Sequence, residues 1–351
     1  MNTLLNKILR AKTPEELFGK DITESELKAT YRNLAKQVHP DKFRNKSNYE
    51  KAQEAFIKLS ELRDEAERKL ETGEYGKPSK LKTEFSVNIE GKFYYIKEKV
   101  FSGGISDIHR CRFGTKDYLV KIAKSSSYNE FIQNETIILN ELKLVALHDY
   151  SKFELFARSI ASFTLLGDDP RDAVVLRWDK GFHSLAYILA KNPKGVGVAN
   201  TLEILNRMWL SLEFTHAQEI YHGSIVPSHF IINPSKSAGK LLDWGSAYDA
   251  YRSHKPRRAI KEEYLYYYPR DRFHSPENDI YMVGKCALAL LGGNIRDNSC
   301  PDSVPKKLYD FLTWCLMDIY VRRPRSVPDL YPEFQWVCKN LADYKVERFK
   351  L

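Results

Sequence analysis

Hydrophobic residues recur at helical spacing throughout residues 1–71. Thr13-Pro-Glu-Glu16 and Thr23-Glu-Ser-Glu26 have the form of capping boxes, and each predicts the start of a helix. The first helix should be short and end at Gly19, and two longer helices should follow. Proline disfavours a helical conformation in the preceding residue, so His39-Pro40-Asp41-Lys42 should separate these two. The helix before this loop has an apolar face formed by Leu27, Tyr31, Leu34, Ala35 and Val38. The helix after the loop has one formed by Ala52, Ala55, Phe56, Leu59, Leu62 and Ala66.

The pattern changes at residues 72–84, a polar stretch with Gly and Pro that we interpret as a linker. From Phe85 onward the hydrophobic period shortens to that of strands, in the runs FSVNI, FYYIKEKVF, IHRCRF and YLVKIA. After about Asn129 helices dominate, apart from a hairpin of Phe230–Ile232 with Leu241–Asp243. Strands followed by helices indicate an α+β fold for residues 85–345. We expect a small lobe at 85–150 and a large lobe at 151–345.

Composition narrows the class of protein. A length of 351 residues predicts about two domains, and 43% hydrophobic residues exclude collagen-like and disordered chains. The five cysteines are widely spaced and form no CxxC, which argues against a disulfide framework or a zinc site and favours a reducing compartment. We find no secretory signal and no apolar stretch long enough for a membrane span, and we expect a cytoplasmic protein.

The net charge of +9 raises the question of an acidic partner. Tyrosines at Tyr264-Leu-Tyr-Tyr-Tyr268 lie beside the basic run Lys255–Arg258 and near Lys261, Arg270 and Arg272, a mixture that can bind single-stranded nucleic acid. We favour packing of these aromatic residues within the domain and do not expect nucleic acid as a partner. An acidic or phosphorylated peptide on the arginines is the preferred alternative.

The loop His39-Pro40-Asp41 lies between two amphipathic helices, the first of which carries Lys28, Arg32 and Lys36 at i, i+4 spacing on its outer face. This arrangement resembles a J-domain, the module with which DnaJ-type co-chaperones engage DnaK-type chaperones. The resemblance implies that His39, Pro40 and Asp41 contact the chaperone and trigger its ATP hydrolysis. It also implies that the three basic side chains dock electrostatically on an acidic surface of that partner.

The second part of the chain contains an ordered series of motifs. Phe101-Ser-Gly-Gly-Ile-Ser-Asp-Ile108 contains Gly103 and Gly104 in a turn between strand-like runs, and Lys121 lies in the apolar run YLVKIA. A buried lysine needs a partner, which we expect to be Glu135, with Glu141 as the alternative. Tyr221–Ile232 followed by Leu241-Leu-Asp-Trp-Gly245 is similar to the HRDxxxxN and DFG motifs of protein kinases. Asp279 and Arg323 match two further kinase positions.

The resemblance spans residues 90–340 and implies a two-lobed protein kinase-like fold, but several catalytic residues differ. Ser224 stands at the position of the catalytic aspartate and has no useful basicity. Val226 replaces a lysine, and His229 replaces the asparagine that holds the second magnesium ion, an ion that prefers oxygen ligands. Asp243 remains and could hold one Mg²⁺. At the end of the activation segment, Arg270 replaces the glutamate that usually pairs with Arg323.

We therefore expect a J-domain co-chaperone whose second domain is a pseudokinase. That domain would bind a client or partner protein of unknown identity, or respond to nucleotide. Gly103, Gly104, Lys121, Glu135 and Asp243 are the candidate residues for ATP, with Mg²⁺ at Asp243 and His229 as a doubtful ligand. The alternative is an unorthodox active kinase of the serine/threonine type, which would use Lys121, Glu135 and Asp243 without the usual catalytic aspartate.

Overall fold

The computed structural model describes residues 2–11, 13–43, 48–71, 75–76, 85–252, 260–271, 273–344, 349 and 351. The chain divides into two compact units, Met1–Lys82 and Thr83–Leu351. The first is helical and the second combines helices with sheets, as the hydrophobic pattern predicts. Among the described residues, no helix is both long and apolar enough to cross a membrane.

Within its described residues, the first unit contains four helices: α1 (Asn2–Arg10), α2 (Pro14–Phe18), α3 (Glu24–Val38) and α4 (Tyr49–Glu71). A turn of 3₁₀-helix at Pro40–Phe43 follows α3. The four helices pack around one apolar core, in which Leu5, Ile8, Leu27 and Leu59 are fully buried.

The two predicted capping boxes differ in the structure. Thr23 caps α3, because its hydroxyl accepts a hydrogen bond from the Glu26 N–H at 3.3 Å and the Glu26 carboxylate accepts one from the Thr23 N–H at 2.8 Å. Thr13 makes no side-chain cap to α2, so the prediction of a capping box there was wrong. Pro14 at the first helical position is sufficient to start this short helix, since its backbone is already constrained to helical φ.

Only Tyr75 and Gly76 of the predicted linker 72–84 are described. The Tyr75 hydroxyl donates a hydrogen bond of 2.8 Å to the Gly19 carbonyl, so this part of the segment packs on the first unit. The rest of the predicted linker lies outside the described residues, as does the basic run Lys255–Arg258.

The second unit begins with an antiparallel sheet of six strands in the order β1-β2-β3-β4-β6-β5. The strands are β1 (Phe85–Ile89), β2 (Lys92–Ser102), β3 (Ser106–Phe113), β4 (Lys116–Ala123), β5 (Ser159–Leu165) and β6 (Arg171–Arg177). Strands β5 and β6 also belong to this sheet, which therefore continues past residue 150, the expected end of a small lobe, to Arg177. These two strands were not predicted, because β6 pairs with β4 across an intervening helix and such long-range pairing leaves no local pattern.

Helices form most of the remainder: α5 (Asn129–Ala146), α6 (Leu185–Lys191), α7 (Val198–His216), α8 (Pro276–Leu290), α9 (Lys306–Cys315) and α10 (Val327–Asn340). Helix α8 is buried on nearly all sides, with Ile280, Met282 and Val283 fully inaccessible. Five short strands lie between the helices: β7 (His183–Ser184), β8 (Ile220–Tyr221), β9 (Phe230–Asn233), β10 (Ala238–Leu241) and β11 (Tyr248–Asp249).

Strands β9 and β10 form the predicted hairpin, but in a shifted position. Leu241 pairs with Phe230 and ends β10, whereas the pattern predicted a strand of Leu241–Asp243. Asp243 has a positive φ of 62°, a left-handed conformation that cannot continue a strand. This backbone turn directs the chain of Trp244 and Gly245 towards α5.

Candidate functional site

The loop after α3 presents His39, Pro40 and Asp41 at the surface of the first unit. The His39 ring lies edge-on to Phe56 of α4, with 5.2 Å between the ring centroids. The Asp41 N–H donates to His39 Nδ1 at 3.3 Å, which holds the two residues in one tight turn. His39 and Asp41 nevertheless remain exposed. The loop is thus a fixed and accessible feature rather than part of the core.

Lys28, Arg32 and Lys36 are all exposed, and their i, i+4 spacing aligns them on α3. Lys28 forms an ion pair with Glu24 one turn earlier. Both side chains of this pair are exposed and screened by water, so an acidic partner could compete for Lys28. The face therefore keeps its basic character next to the loop.

In the second unit, the structure brings Lys121, Glu135 and Asp243 together. Lys121 lies on β4 and is 3% exposed, and Glu135 on α5 is 1% exposed. The Lys121 ammonium group donates hydrogen bonds of 2.7 Å to both Glu135 and Asp243. Glu135 also accepts a bond from the Trp244 N–H at 3.3 Å. The expected partner Glu135 thus contacts Lys121, while Glu141 forms an ion pair with Arg252 instead.

The charges in this cluster perturb each other strongly. Burial alone would lower the pKa of Lys121, but the Asp243 and Glu135 carboxylates hold that pKa above its usual range. Burial alone would raise the pKa of Asp243, but Lys121 and then His229 hold it well below its usual range. Burial raises the pKa of Glu135, against the opposing effect of Lys121. Lys121 is therefore a charged and tightly held cation.

Asn134, next to Glu135 on α5, fastens the segment that follows Asp243. Its side-chain amide donates to the Gly245 carbonyl at 3.1 Å and to the Ala247 carbonyl at 2.8 Å. A Cβ atom on Gly245 would lie 2.8 Å from the Phe131 carbonyl oxygen, so only glycine permits this approach. Helix α5 and the segment after Asp243 are thereby held at a fixed distance.

Ser224, which the kinase resemblance aligns with the catalytic aspartate, is buried and hydrogen-bonded. Its hydroxyl lies 2.7 Å from the Tyr268 hydroxyl. Tyr268 is itself only 7% exposed, so both members of this hydrogen-bonded pair are buried. Nothing in this pair can accept a proton near neutral pH, because a serine and a tyrosine are both weak bases.

His229 contacts Asp243 through one ring nitrogen and Ser224 through the other. His229 Nε2 is 3.2 Å from Asp243 Oδ2, and Nδ1 is 2.7 Å from the Ser224 carbonyl oxygen. Each ring nitrogen of His229 thus lies close to an oxygen of another residue, the Asp243 carboxylate or the Ser224 carbonyl. Asp243 therefore has Lys121 on one carboxylate oxygen and His229 on the other.

The glycine pair closes a tight hairpin between β2 and β3. The Gly103 N–H donates to the Ser106 carbonyl at 2.8 Å, and a Cβ atom on Gly103 would lie 3.0 Å from that same oxygen. Lys261 lies over the tip, with its Cε 3.5 Å from the position of a Cβ on Gly104. Its ammonium group is 5.8 Å from the centre of the Phe101 ring. A cation thus lies beside the hairpin.

Asp279 on α8 anchors the loop that contains Ser224. Its carboxylate accepts hydrogen bonds from the backbone N–H groups of His222 at 2.7 Å and Gly223 at 2.8 Å. His222 donates through Nε2 to the Leu242 carbonyl, and burial lowers the pKa of His222 to about 4. His222 is therefore neutral near pH 7, and it packs in the interior as a fully buried side chain.

Arg323 is buried, and its guanidinium group bonds to Asn278 and lies 3.7 Å from Asp271. The kinase resemblance implied that Arg323 would face Arg270 instead of a glutamate and would lack its usual ion pair. In the structure Arg323 lies near the carboxylate of Asp271, the residue after Arg270.

The residues around Asp243 do not fit a Mg²⁺ site of the kind the kinase resemblance implies. One Asp243 oxygen accepts a hydrogen bond from Lys121 and the other lies 3.2 Å from His229 Nε2, so a Mg²⁺ ion would have to displace both contacts. In the part of the chain that the structure describes, no three His, Cys, Asp or Glu side chains are grouped to hold a metal ion.

The roles of Asn134 and of Tyr268 as the partner of Ser224 were not predicted, and Lys261 was grouped with the basic residues beside the tyrosines rather than with the glycine hairpin. The Tyr-rich run was singled out, but nothing in it distinguishes the one tyrosine that reaches Ser224. These contacts join residues far apart in the chain, and a single sequence carries no signal for them.

The DnaJ domain family model matches residues 18–69. Its match begins at the end of α2, whereas α1 packs into the same apolar core and extends the unit towards the N-terminus. No curated protein matches the chain. The family match confirms the J-domain prediction and supports a J-domain co-chaperone role for the N-terminal part of the chain.

Proposed function

We propose that this chain is a co-chaperone that recruits a DnaK-type chaperone through residues 1–71 and stimulates its ATPase. The observation that carries this proposal is the DnaJ domain match over a helical unit that exposes His39 and Asp41 beside the basic face of α3. Complementary charge steers two proteins into one orientation and speeds their encounter. The exposed loop would then make the specific contact.

We further propose that the second unit is a pseudokinase, a kinase-like fold that binds a partner protein or nucleotide without phosphotransfer. The six-stranded sheet, the contact of Lys121 with Glu135 and Asp243, and the anchoring of the Ser224 loop by Asp279 support the kinase-like interpretation. The hydrogen bond between Ser224 and Tyr268 favours an inactive cleft. Tethered to the first unit, this domain would raise the concentration of its client near the recruited chaperone.

The ATPase of a DnaK-type chaperone, measured with the full chain present, tests the first proposal. We expect stimulation by the parent and none by Asp41→Asn, which keeps the shape of the side chain but removes its charge. Asp64→Asn is the matched control, since Asp64 lies in the same unit on α4 and pairs with Arg63. Equal stimulation by the parent and Asp41→Asn would refute the assignment.

Incubation of the chain with labelled ATP tests the second proposal. We expect no transfer of phosphate to the chain itself or to a generic protein substrate, because a serine replaces the aspartate that the resemblance requires and its hydroxyl is hydrogen-bonded to Tyr268. Incorporation that disappears in Asp243→Ala would establish the alternative, an unorthodox kinase.

A further inference from the structure

The turn that follows α9 exposes a group of large apolar side chains. Four of them lie close together in the chain, and each is more than a third exposed: Met317, Ile319, Tyr320 and Val321. The ring of Phe273, also exposed, meets the Tyr320 ring edge-on, with 4.9 Å between the centroids. We call these five residues the apolar patch. Single exposed apolar residues are common on protein surfaces, whereas a group of them often marks an interaction site.

Two buried side chains hold the backbone beneath the apolar patch. Arg323 donates from Nε to the Met317 carbonyl at 2.6 Å and from Nη2 to the Asp318 carbonyl at 3.0 Å. Asn278 on α8 accepts a hydrogen bond from Arg323 and donates one of 2.7 Å to the Phe273 carbonyl. Both parts of the apolar patch are therefore tied to one hydrogen-bonded network. A surface that is already ordered loses little conformational entropy when it binds a partner.

The charges next to the apolar patch are mainly positive. Among nearby carboxylates, Asp271 lies 3.7 Å from the buried Arg323, and Asp318 is exposed. Three exposed arginines that form no ion pair with another described residue lie beside the apolar patch in the chain: Arg270, Arg322 and Arg325. Positive charge at the edge of an apolar surface favours an acidic partner, because complementary potentials speed and orient the encounter.

These charges favour a peptide over other partners. Asp318 lies between Met317 and Ile319, where the phosphates of a membrane surface or a nucleic acid would be repelled. A peptide can place acidic side chains at the arginines and an uncharged one at Asp318. A second copy of this chain, docked through the same face by two-fold symmetry, would bring the two sets of arginines together.

We propose that the apolar patch binds an acidic and hydrophobic peptide segment of a partner protein. Apolar side chains of the segment are buried against Ile319 and Tyr320, and its carboxylates pair with the neighbouring arginines. This inference rests on the partner-binding part of the proposed function and names the surface and the chemistry of the partner.

Fluorescence anisotropy of a labelled synthetic peptide, titrated with the full chain, tests this inference. The probe alternates leucine or phenylalanine with glutamate, and a second peptide carries lysine in place of each glutamate. We expect the glutamate peptide to bind at least about tenfold more tightly than the lysine peptide. The affinity of the glutamate peptide should fall as salt is added. Equal binding of the two peptides would refute the role of the arginines.

Three variants test the residues. Ile319→Asp puts a charge where an apolar side chain is buried by the peptide, and we expect a loss of affinity of about tenfold or more. Leu166→Asp is the matched control, because Leu166 is an exposed aliphatic residue that follows β5, outside the apolar patch, and this variant should bind like the parent. Arg322→Ala should weaken binding about threefold. Ile319 is 51% exposed, so the urea transition of Ile319→Asp should match that of the parent.

Equal affinity of the parent and Ile319→Asp for the glutamate peptide would place its binding elsewhere, which overturns the inference and leaves the partner-binding proposal intact. The absence of peptide binding by the parent would also overturn the inference, while the chaperone ATPase and labelled-ATP assays report separately on the proposed function. Binding of the parent to phosphatidylserine vesicles without peptide binding, lost in Ile319→Asp, would assign the apolar patch to a membrane. Self-association lost in the same variant would assign it to a second copy, and either result would overturn the inference.

Discussion

The substitution Lys121→Met tests the buried cluster most directly. It removes the only cation that contacts Glu135 in the structure's described residues and leaves two carboxylates side by side. Breaking a buried ion pair by removing one partner costs about 3–5 kcal/mol, because the remaining charge is left uncompensated. We expect a loss of this size in the free energy of unfolding of the second unit at pH 7.

The pH dependence of this loss follows from the shifted pKa values. The raised pKa of Lys121 means that its contribution is complete below the ordinary pKa of lysine and is lost only as the pH rises through the higher folded-state value. The lowered pKa of Asp243 gives a contribution present above the ordinary pKa of aspartate and lost as the pH falls through the folded-state value. The difference between parent and Lys121→Met should therefore shrink on acidification, as the orphaned carboxylates take up protons.

Urea denaturation followed by tryptophan fluorescence provides the assay. All five tryptophans lie in the second unit, so the signal reports on that unit alone even if the two units unfold separately. Glu135→Gln in the Lys121→Met background removes one of the two orphaned charges and should restore about 1–3 kcal/mol. A Lys121→Met protein within about 1 kcal/mol of the parent at pH 7 would refute the idea that this cluster is a compensated buried network.

Two further substitutions test the elements that hold the functional residues in place. Asn134→Ala leaves the buried carbonyls of Gly245 and Ala247 without their donor and should cost about 1–3 kcal/mol in the same fluorescence assay, and an unchanged midpoint would contradict the fastening role of Asn134. Thr23→Ala removes the cap of α3 and should cost about 1 kcal/mol in the helical transition followed by circular dichroism. Because residues 1–82 contain no tryptophan, the fluorescence transition should not move in Thr23→Ala, and a shift there would show that the two units do not unfold independently.

The contacts of Lys121 show which of its partners the sequence predicts and which it does not. A lysine within an apolar strand needs a carboxylate partner. Glu135 shares one helical face with Leu139 and Leu142, and the sequence therefore predicted that Glu135 would contact Lys121. The second partner, Asp243, lies 122 residues beyond Lys121 in the chain. The kinase resemblance proposed both residues for nucleotide, but nothing local predicted that Lys121 would bond to both carboxylates at once.

The sequence by itself determined the helical first unit, the loop at His39-Pro40-Asp41 and the basic row on α3, since these depend on local periodicity and on proline geometry. It also identified most strands of the large sheet, where hydrophobic residues alternate. Only the tertiary structure decided that β5 and β6 complete this sheet and that Tyr268 covers Ser224. The engagement of both Asp243 oxygens by Lys121 and His229 likewise depends on the folded chain. Such contacts are set by the packing of distant segments, and packing energy depends on three-dimensional neighbours that a linear pattern does not contain.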